Sequence, residues 1–248
     1  MPQYGSKDWF EEQYEKTDED PWGLEWRPTQ QYRYGTMLEQ LLQEVRGSAV
    51  DEGLVIDIGC ATGGFTRALA GALAGSGHYR MVGADLSATA IDRARQKSPD
   101  IEFRVGALED TAAEFRGTAG VAAFLEVLYY TPREGRPAAI DTLHSLLKPG
   151  GLLLISAMLG KPPYFSQAEL EALVAQRFTI LKSGCLNLWP LVALEKLWLK
   201  IAKPGRAASR PRYLPGDPNF ERIARVARLS GGVFGRRAQS HAFVIARA

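Results

Sequence analysis

From about residue 53 to the end of the chain, short apolar runs alternate with segments of helical period, and this alternation restricts the fold more than any other feature. Strands covered on both faces read as continuous apolar runs, and strands alternating with helical patterns imply a largely parallel sheet between two helical layers. The runs GLVIDIG (53–59), YRMVGAD (79–85), IEFRV (101–105), GVAAFLE (120–126), GLLLISA (151–157), FTILKSG (178–184) and SHAFVIAR (240–247) predict seven strands. Helices are predicted between them at 64–74, 87–98, 136–148 and 166–178. Ser87 and Ser166 suit two of these as N-caps, because a hydroxyl can accept from the first-turn amides. LKPGG (147–151) is predicted to end a helix and turn into the next strand. The expected fold class is α/β, a doubly wound, seven-stranded, mostly parallel sheet.

Two segments stand outside the alternation. Residues 1–50 carry Trp9, Tyr14, Trp22, Trp26, Tyr32 and Tyr34 and read as a helical cap over one end of the sheet. Residues 188–230 interrupt the last two strands with an apolar helix, a proline- and arginine-rich loop (203–218) and a helix around NFERIARVARLS. With 248 residues and 46% hydrophobic content, the whole chain, 1–248, reads as one domain carrying this cap and an insertion over the acceptor site. The formal net charge of +2 makes no general case for nucleic acid as a partner. Charge is uneven, however: residues 1–52 hold 12 acids and 5 bases, whereas 200–237 hold 10 bases and 2 acids. These ends are either solvated or opposed to each other, or the acidic one attracts a cationic substrate. Two cysteines and no signal-like start predict a reduced, cytoplasmic protein. The stretch 188–203 is interrupted by Glu195, Lys196 and Lys200 and is too short to span a bilayer, so no stable membrane association is expected.

In an open parallel sheet, ligands bind beyond the carboxyl ends of the strands. VIDIGCATGGFT (55–66) is such an end: Gly59 and Gly63 allow close backbone approach, and the helix starting near Gly64 offers unpaired amides. It is not GxGxxG, and Asp57 so near the turn disfavours a pyrophosphate and favours a cation. S-adenosylmethionine, with an ammonium, a sulfonium and no phosphate, suits it better than a nicotinamide dinucleotide. Asp85, at the end of the next strand, can accept from both ribose hydroxyls. The plainer readings are an ordinary strand-to-helix turn and an aspartate that only caps a helix.

Taken in order, DIGCATGG, GADLS, FRVGALED, FLEVLYY and LLKPGGLLLIS, over about residues 53–157, resemble the class I S-adenosylmethionine-dependent methyltransferases. The resemblance implies a Rossmann-like methyltransferase fold with an antiparallel last strand. It also implies that Asp57 and the loop Gly59, Cys60, Ala61 to Gly63 hold the methionine part, Asp85 the ribose, and Leu86, Ala107 and Leu108 the adenine. Ala61 departs from the middle glycine usual in that loop. Ala107 stands where an acid commonly accepts from the adenine amino group, leaving that contact to the backbone or Asp110. DPWGLEWRPTQQYRYGTML (20–38), with GCATGGFT and EVLYY, resembles the NodS-type nodulation methyltransferases, the likeness resting on Asp20, Pro21, Trp22 and Arg33. That narrower resemblance implies N-methylation of an amino sugar, with Trp22 and Arg33 in the cofactor site and Arg33 pairing with the cofactor carboxylate. Gln30, Gln31 and the insertion 188–216 depart from its pattern.

Glu126, at the end of the fourth strand, is the candidate general base, or alternatively only a partner of the cofactor ammonium, and Tyr129 is a second candidate catalytic residue. Tyr130 follows it in the same loop. His78, His144 and His241 read as structural or solvated, and no metal site is predicted. The expected function is methyl transfer to a small molecule, with an amine favoured. The alternatives are methylation of a hydroxyl, a module that binds the cofactor without catalysis and, less consistent with the motifs, a nicotinamide-dependent reductase or a nucleic-acid methylase. Oligomeric state is not readable.

Overall fold

The computed structural model describes every residue except 1, 18–19, 49–52, 75–77 and 203–216, and of 198–202 only the backbone course. The predicted proline- and arginine-rich loop lies mostly outside the described residues, as do the ends of the acidic cap segment. Seven strands form one sheet: β1 Gly53–Ile58, β2 Tyr79–Asp85, β3 Glu102–Val105, β4 Ala119–Leu125, β5 Leu147–Met158, β6 Thr179–Leu186 and β7 His241–Arg247. Their order is β3-β2-β1-β4-β5-β7-β6, and β7 runs antiparallel to both β5 and β6. The strand order reverses between β1 and β4, which opens the crevice in which such sheets bind ligands.

The period-two pattern divides the core between the two faces. Ile56, Ala122, Leu153, Ile155 and Val244 pack against α5 Leu108–Glu114, α6 Arg136–Leu146 and α7 Gln167–Val174. Their neighbours Val55, Val121, Leu152, Leu154 and Ile245 face α2 Pro28–Arg46, α3 Gly64–Leu73 and, late in the chain, α9 Pro218–Phe234. All ten are fully buried, and each of the nine Val, Leu and Ile side chains stabilises the fold by roughly 1.5–3 kcal/mol relative to exposure. α4 Ala88–Lys97 follows β2, with Ser87 accepting from the Ala90 amide as its N-cap. Ser166 caps α7 in the same way and completes a capping box with Glu169.

Two elements differ from expectation. α5 is seven residues long, too short to show a helical period, and is held at its start by Asp110 accepting from the Ala107 amide at 3.0 Å. LKPGG does follow a helix end, at Leu146, but its residues already belong to β5. Gly150, with φ +78°, and a register shift against β4 between Ala119 and Val121 absorb the proline.

The cap and the insertion meet. α1 Lys7–Glu15 lies against α4, where Glu11 accepts from the Thr89 amide at 3.0 Å. α2 lacks a side-chain cap of its own, and α8 Trp189–Ala202 supplies one. Buried Glu195 accepts from the Thr29 amide at 3.0 Å and hydroxyl at 2.8 Å, and pairs with Arg27 at 2.6 Å. The acid that interrupts the apolar stretch thus satisfies the open amides of a neighbouring helix.

Candidate active site

A cavity of about 290 Å³ opens at the carboxyl ends of β1, β2 and β4, beneath α1 and the start of α2. β1 ends in a turn whose shape is set by Gly59 at φ +74°, where a Cβ would collide with the Val127 side chain. Ala61 follows at φ +52°, a left-handed conformation that costs a non-glycine residue on the order of 1 kcal/mol. Asp85 stabilises it: its carboxylate accepts from the Ala61 amide at 2.9 Å and from the Ser87 amide at 3.0 Å. Burial raises the Asp85 carboxyl above its ordinary range, while the Ser87 and Ala61 amides oppose that shift. Leu86, Ala107 and Leu108 form an apolar corner beside it, with exposed Glu109 also lining the cavity.

At the opposite side, β4 ends into Glu126, itself at φ +61°. Arg33, 2% exposed on α2, reaches its Oε1 at 3.0 Å, and the Ser156 hydroxyl donates to the same oxygen at 2.7 Å. Glu126 Oε2 and Arg33 Nε are buried without a hydrogen-bond partner. His241, at the start of β7, places Nε2 3.8 Å from Oε2 and has Nδ1 2.9 Å from the Ser240 hydroxyl. Burial, reinforced by Arg33 and opposed by Glu126, lowers the His241 pKa to about 4, so the ring is neutral at neutral pH.

The remaining wall is aromatic. Phe10, Tyr14 and Trp22 come from the cap, and Tyr129 and Tyr130 from the turn after β4. Tyr130 stacks edge-on against Phe10 with centroids 4.8 Å apart, and Tyr14 does the same to Trp22 at 5.0 Å. The DPWG turn that delivers Trp22 is organised by buried Asp20, which accepts from the Trp22 and Glu25 amides at 2.9 and 3.1 Å.

These features fit S-adenosylmethionine: a carboxylate at the β2 end for a diol, an apolar corner for a flat ring, and a buried carboxylate oxygen without a partner for a cation. Residues 55–151 match the family model of a methyltransferase domain. Residues 55–151 thus form a methyltransferase domain. A carboxy-S-adenosyl-L-methionine synthase of Chromohalobacter salexigens is 34% identical over 112 residues, 44% of this chain and 41% of that protein. A ubiquinone biosynthesis O-methyltransferase of Xanthomonas campestris is 30% identical over 155 residues, 60% and 61% of the two chains. The chain thus matches about two to three fifths of the length of these curated relatives. Among solved structures, the N-methyltransferase NodS of Bradyrhizobium japonicum, in complex with S-adenosyl-L-homocysteine, covers 96% of this chain and 97% of its own, with a TM-score of 0.60 and 19% identity. The last likeness is one of fold.

The fold brings Trp22, Arg33, Gly59, Ala61, Asp85, Leu86, Ala107, Leu108, Glu126 and Tyr129 to the cavity wall. Three residues expected in the cofactor site are placed outside that wall. Asp57 points beneath the turn and accepts from the Thr66 hydroxyl at 2.6 Å. Cys60 packs with Ile91, Ala94 and Phe103, and Gly63 is needed because a Cβ there would press on the Phe103 ring. Arg33, expected on the cofactor carboxylate, is paired with Glu126. Asp110 serves α5. His241, read as structural or solvated, lines the cavity. Acids of the cap engage the protein itself: Glu25 holds Arg67 at 3.0 Å and Lys97 at 2.8 Å. Sequence reasoning missed Phe10, Tyr14 and Met158, which line the cavity but lie in no motif, and Glu109, which lies in FRVGALED but was given no role there.

Two buried groups, Asp57 and His241, make the protein's stability depend on pH in opposite senses. Burial raises the Asp57 pKa to about 7, with Asp85 adding to the shift and the Thr66 hydroxyl opposing it. Its contribution is therefore complete below about pH 4, the unfolded value, and is lost as pH rises through 7. His241 contributes above about pH 6.5 and loses that contribution as pH falls through 4. Asp57→Asn is expected to remove the fall in Tm between about pH 4 and 7 and leave the opposing His241 slope. Calorimetric Tm curves for variant and wild type that run parallel across that range would refute the assignment.

Proposed function

We propose that the whole chain is one methyltransferase domain, 1–50 being its cap and 188–230 a lid, and that it methylates the amino group of a small molecule. The observation that carries this reading is one cavity lined by both Asp85 and Glu126, whose buried Oε2 lacks a hydrogen-bond partner, together with seven aromatic residues. S-adenosylmethionine supplies an electrophilic methyl group on a sulfonium. Asp85, the Ala61 amide and the corner of Leu86, Ala107 and Leu108 would hold its nucleoside end, with Trp22 and Tyr14 closing over it. Arg33 and Ser156 hold Glu126 through Oε1, which leaves Oε2 as a partner for an ammonium. A protonated amine entering between Tyr129, Tyr130 and Phe10 is favoured by their ring faces. It must lose a proton to become a nucleophile, and Oε2 and the neutral His241 Nε2 are the acceptors available. Positioning in this cavity supplies the larger part of the acceleration.

Methylation of a hydroxyl is the second reading, favoured by the 30% identity to an O-methyltransferase. The two are separated by incubating the protein with S-adenosylmethionine and matched amines and alcohols, amino sugars included, and weighing the products by mass spectrometry. A one-methyl gain on amines is expected. A gain on alcohols alone would replace the amine reading with the second.

A further inference from the structure

Among the described residues nine large hydrophobic side chains are exposed, and seven of them sit on the two helices of the insertion: Trp189, Leu194 and Leu197 on α8, and Val226, Leu229, Val233 and Phe234 on α9. Apolar side chains scattered singly need no explanation, whereas a concentration of this kind marks an interaction surface. On α9 the pattern is ordered. Phe220, Ala224, Ala227 and Ser230 are buried and face the core, while Val226, Leu229 and Val233, spaced three and four apart, form a ridge along the solvent side. Leu229 is 63% and Val233 74% exposed.

Beside the ridge runs positive charge. Arg222, Arg225 and Arg228 on α9 and Arg236 and Arg237 in the turn after it are all exposed, and none has an ion-pair partner among the described residues. Glu221 is the single exposed acid on the helix. This composition selects the occupant. A second copy meeting the same face by a twofold axis would set these arginines against themselves. A nucleic-acid backbone would satisfy the arginines but not the aliphatic ridge. A bilayer surface with anionic headgroups meets both, the ridge entering the acyl boundary and the arginines staying at headgroup level.

We propose that the exposed face of α8 and α9 docks reversibly on anionic lipid bilayers. No described helix is long and apolar enough to cross a membrane, so the contact is peripheral. Through Glu195, which ties α8 to Arg27 and Thr29 at the start of α2, the docked face is joined to the helix that carries Arg33 into the cavity. The docking does not depend on which acceptor is methylated.

The test is co-sedimentation of the full chain with vesicles of phosphatidylcholine alone and of phosphatidylcholine mixed with phosphatidylglycerol, at low and high salt. Binding to the mixed vesicles that weakens with salt is expected. Leu229→Asp with Val233→Asp should weaken it by about tenfold or more, and Arg225→Gln with Arg228→Gln by a similar factor. Circular dichroism and affinity for S-adenosylhomocysteine monitor the fold. If the aspartate pair unfolds, the glutamine pair alone decides. Absence of binding to the mixed vesicles would overturn the proposal. So would retention of full binding by a folded aspartate pair, or a wild-type dimer that the aspartate pair dissociates while neither form binds vesicles.

Discussion

Arg33→Met is expected to destabilise the protein by about 3–5 kcal/mol, because it leaves the Glu126 carboxylate enclosed with no cation beside it. Arg33 is 2% exposed, and the neutral His241 ring does not supply a charge to replace the lost guanidinium. Among the described residues, the Ser156 hydroxyl is the one hydrogen bond that the Glu126 side chain keeps. Urea denaturation checks the size of the effect. The double variant Arg33→Met with Glu126→Gln should recover most of the stability, since removing both charges abolishes the desolvation cost that removing one leaves behind. If the single variant loses less than about 1 kcal/mol, the pair does not act as a buried unit. The double variant is also expected to bind S-adenosylhomocysteine more weakly and to lose turnover, which separates the role of the pair in the site from its role in the fold.

Asp85→Ala is expected to weaken binding of S-adenosylhomocysteine by about 1–3 kcal/mol, or roughly 5- to 150-fold, by removing the acceptor proposed for the ribose hydroxyls. Two effects combine. The carboxylate is lost from the cavity wall, and the Ala61 amide loses the oxygen that holds it in the left-handed conformation. Asp85→Asn keeps one carbonyl oxygen, so its loss should be smaller. Titration calorimetry on both variants measures this. An unchanged dissociation constant for the alanine variant would place the ribose elsewhere.

The sheet was legible because burial on both faces writes strands as apolar runs. Glycine turns and serine caps then mark where the chain must reverse or where amides need an acceptor. The order of Gly59, Asp85 and Glu126 along the strand ends was legible for the same reason: each follows directly from an apolar run, at the end where a parallel sheet presents its residues. α5 was not, because seven residues carry no period. LKPGG was not fully so, because a register shift against β4 decides whether a proline-glycine turn can pair.

The sequence by itself determined the strand positions, the glycine turn and the likeness of residues 55–151 to methyltransferase domains, since these depend on local pattern and on residues close together in the chain. Only the tertiary structure decided which charges meet. Arg33 and Glu126 lie 93 positions apart, and Glu195 caps a helix 166 positions away, pairings that no spacing rule reaches. It also turned Asp57 beneath the loop and His241 into the cavity, because the side of the sheet that a residue faces, and what packs over it, follow from strand pairing and helix docking across the whole fold.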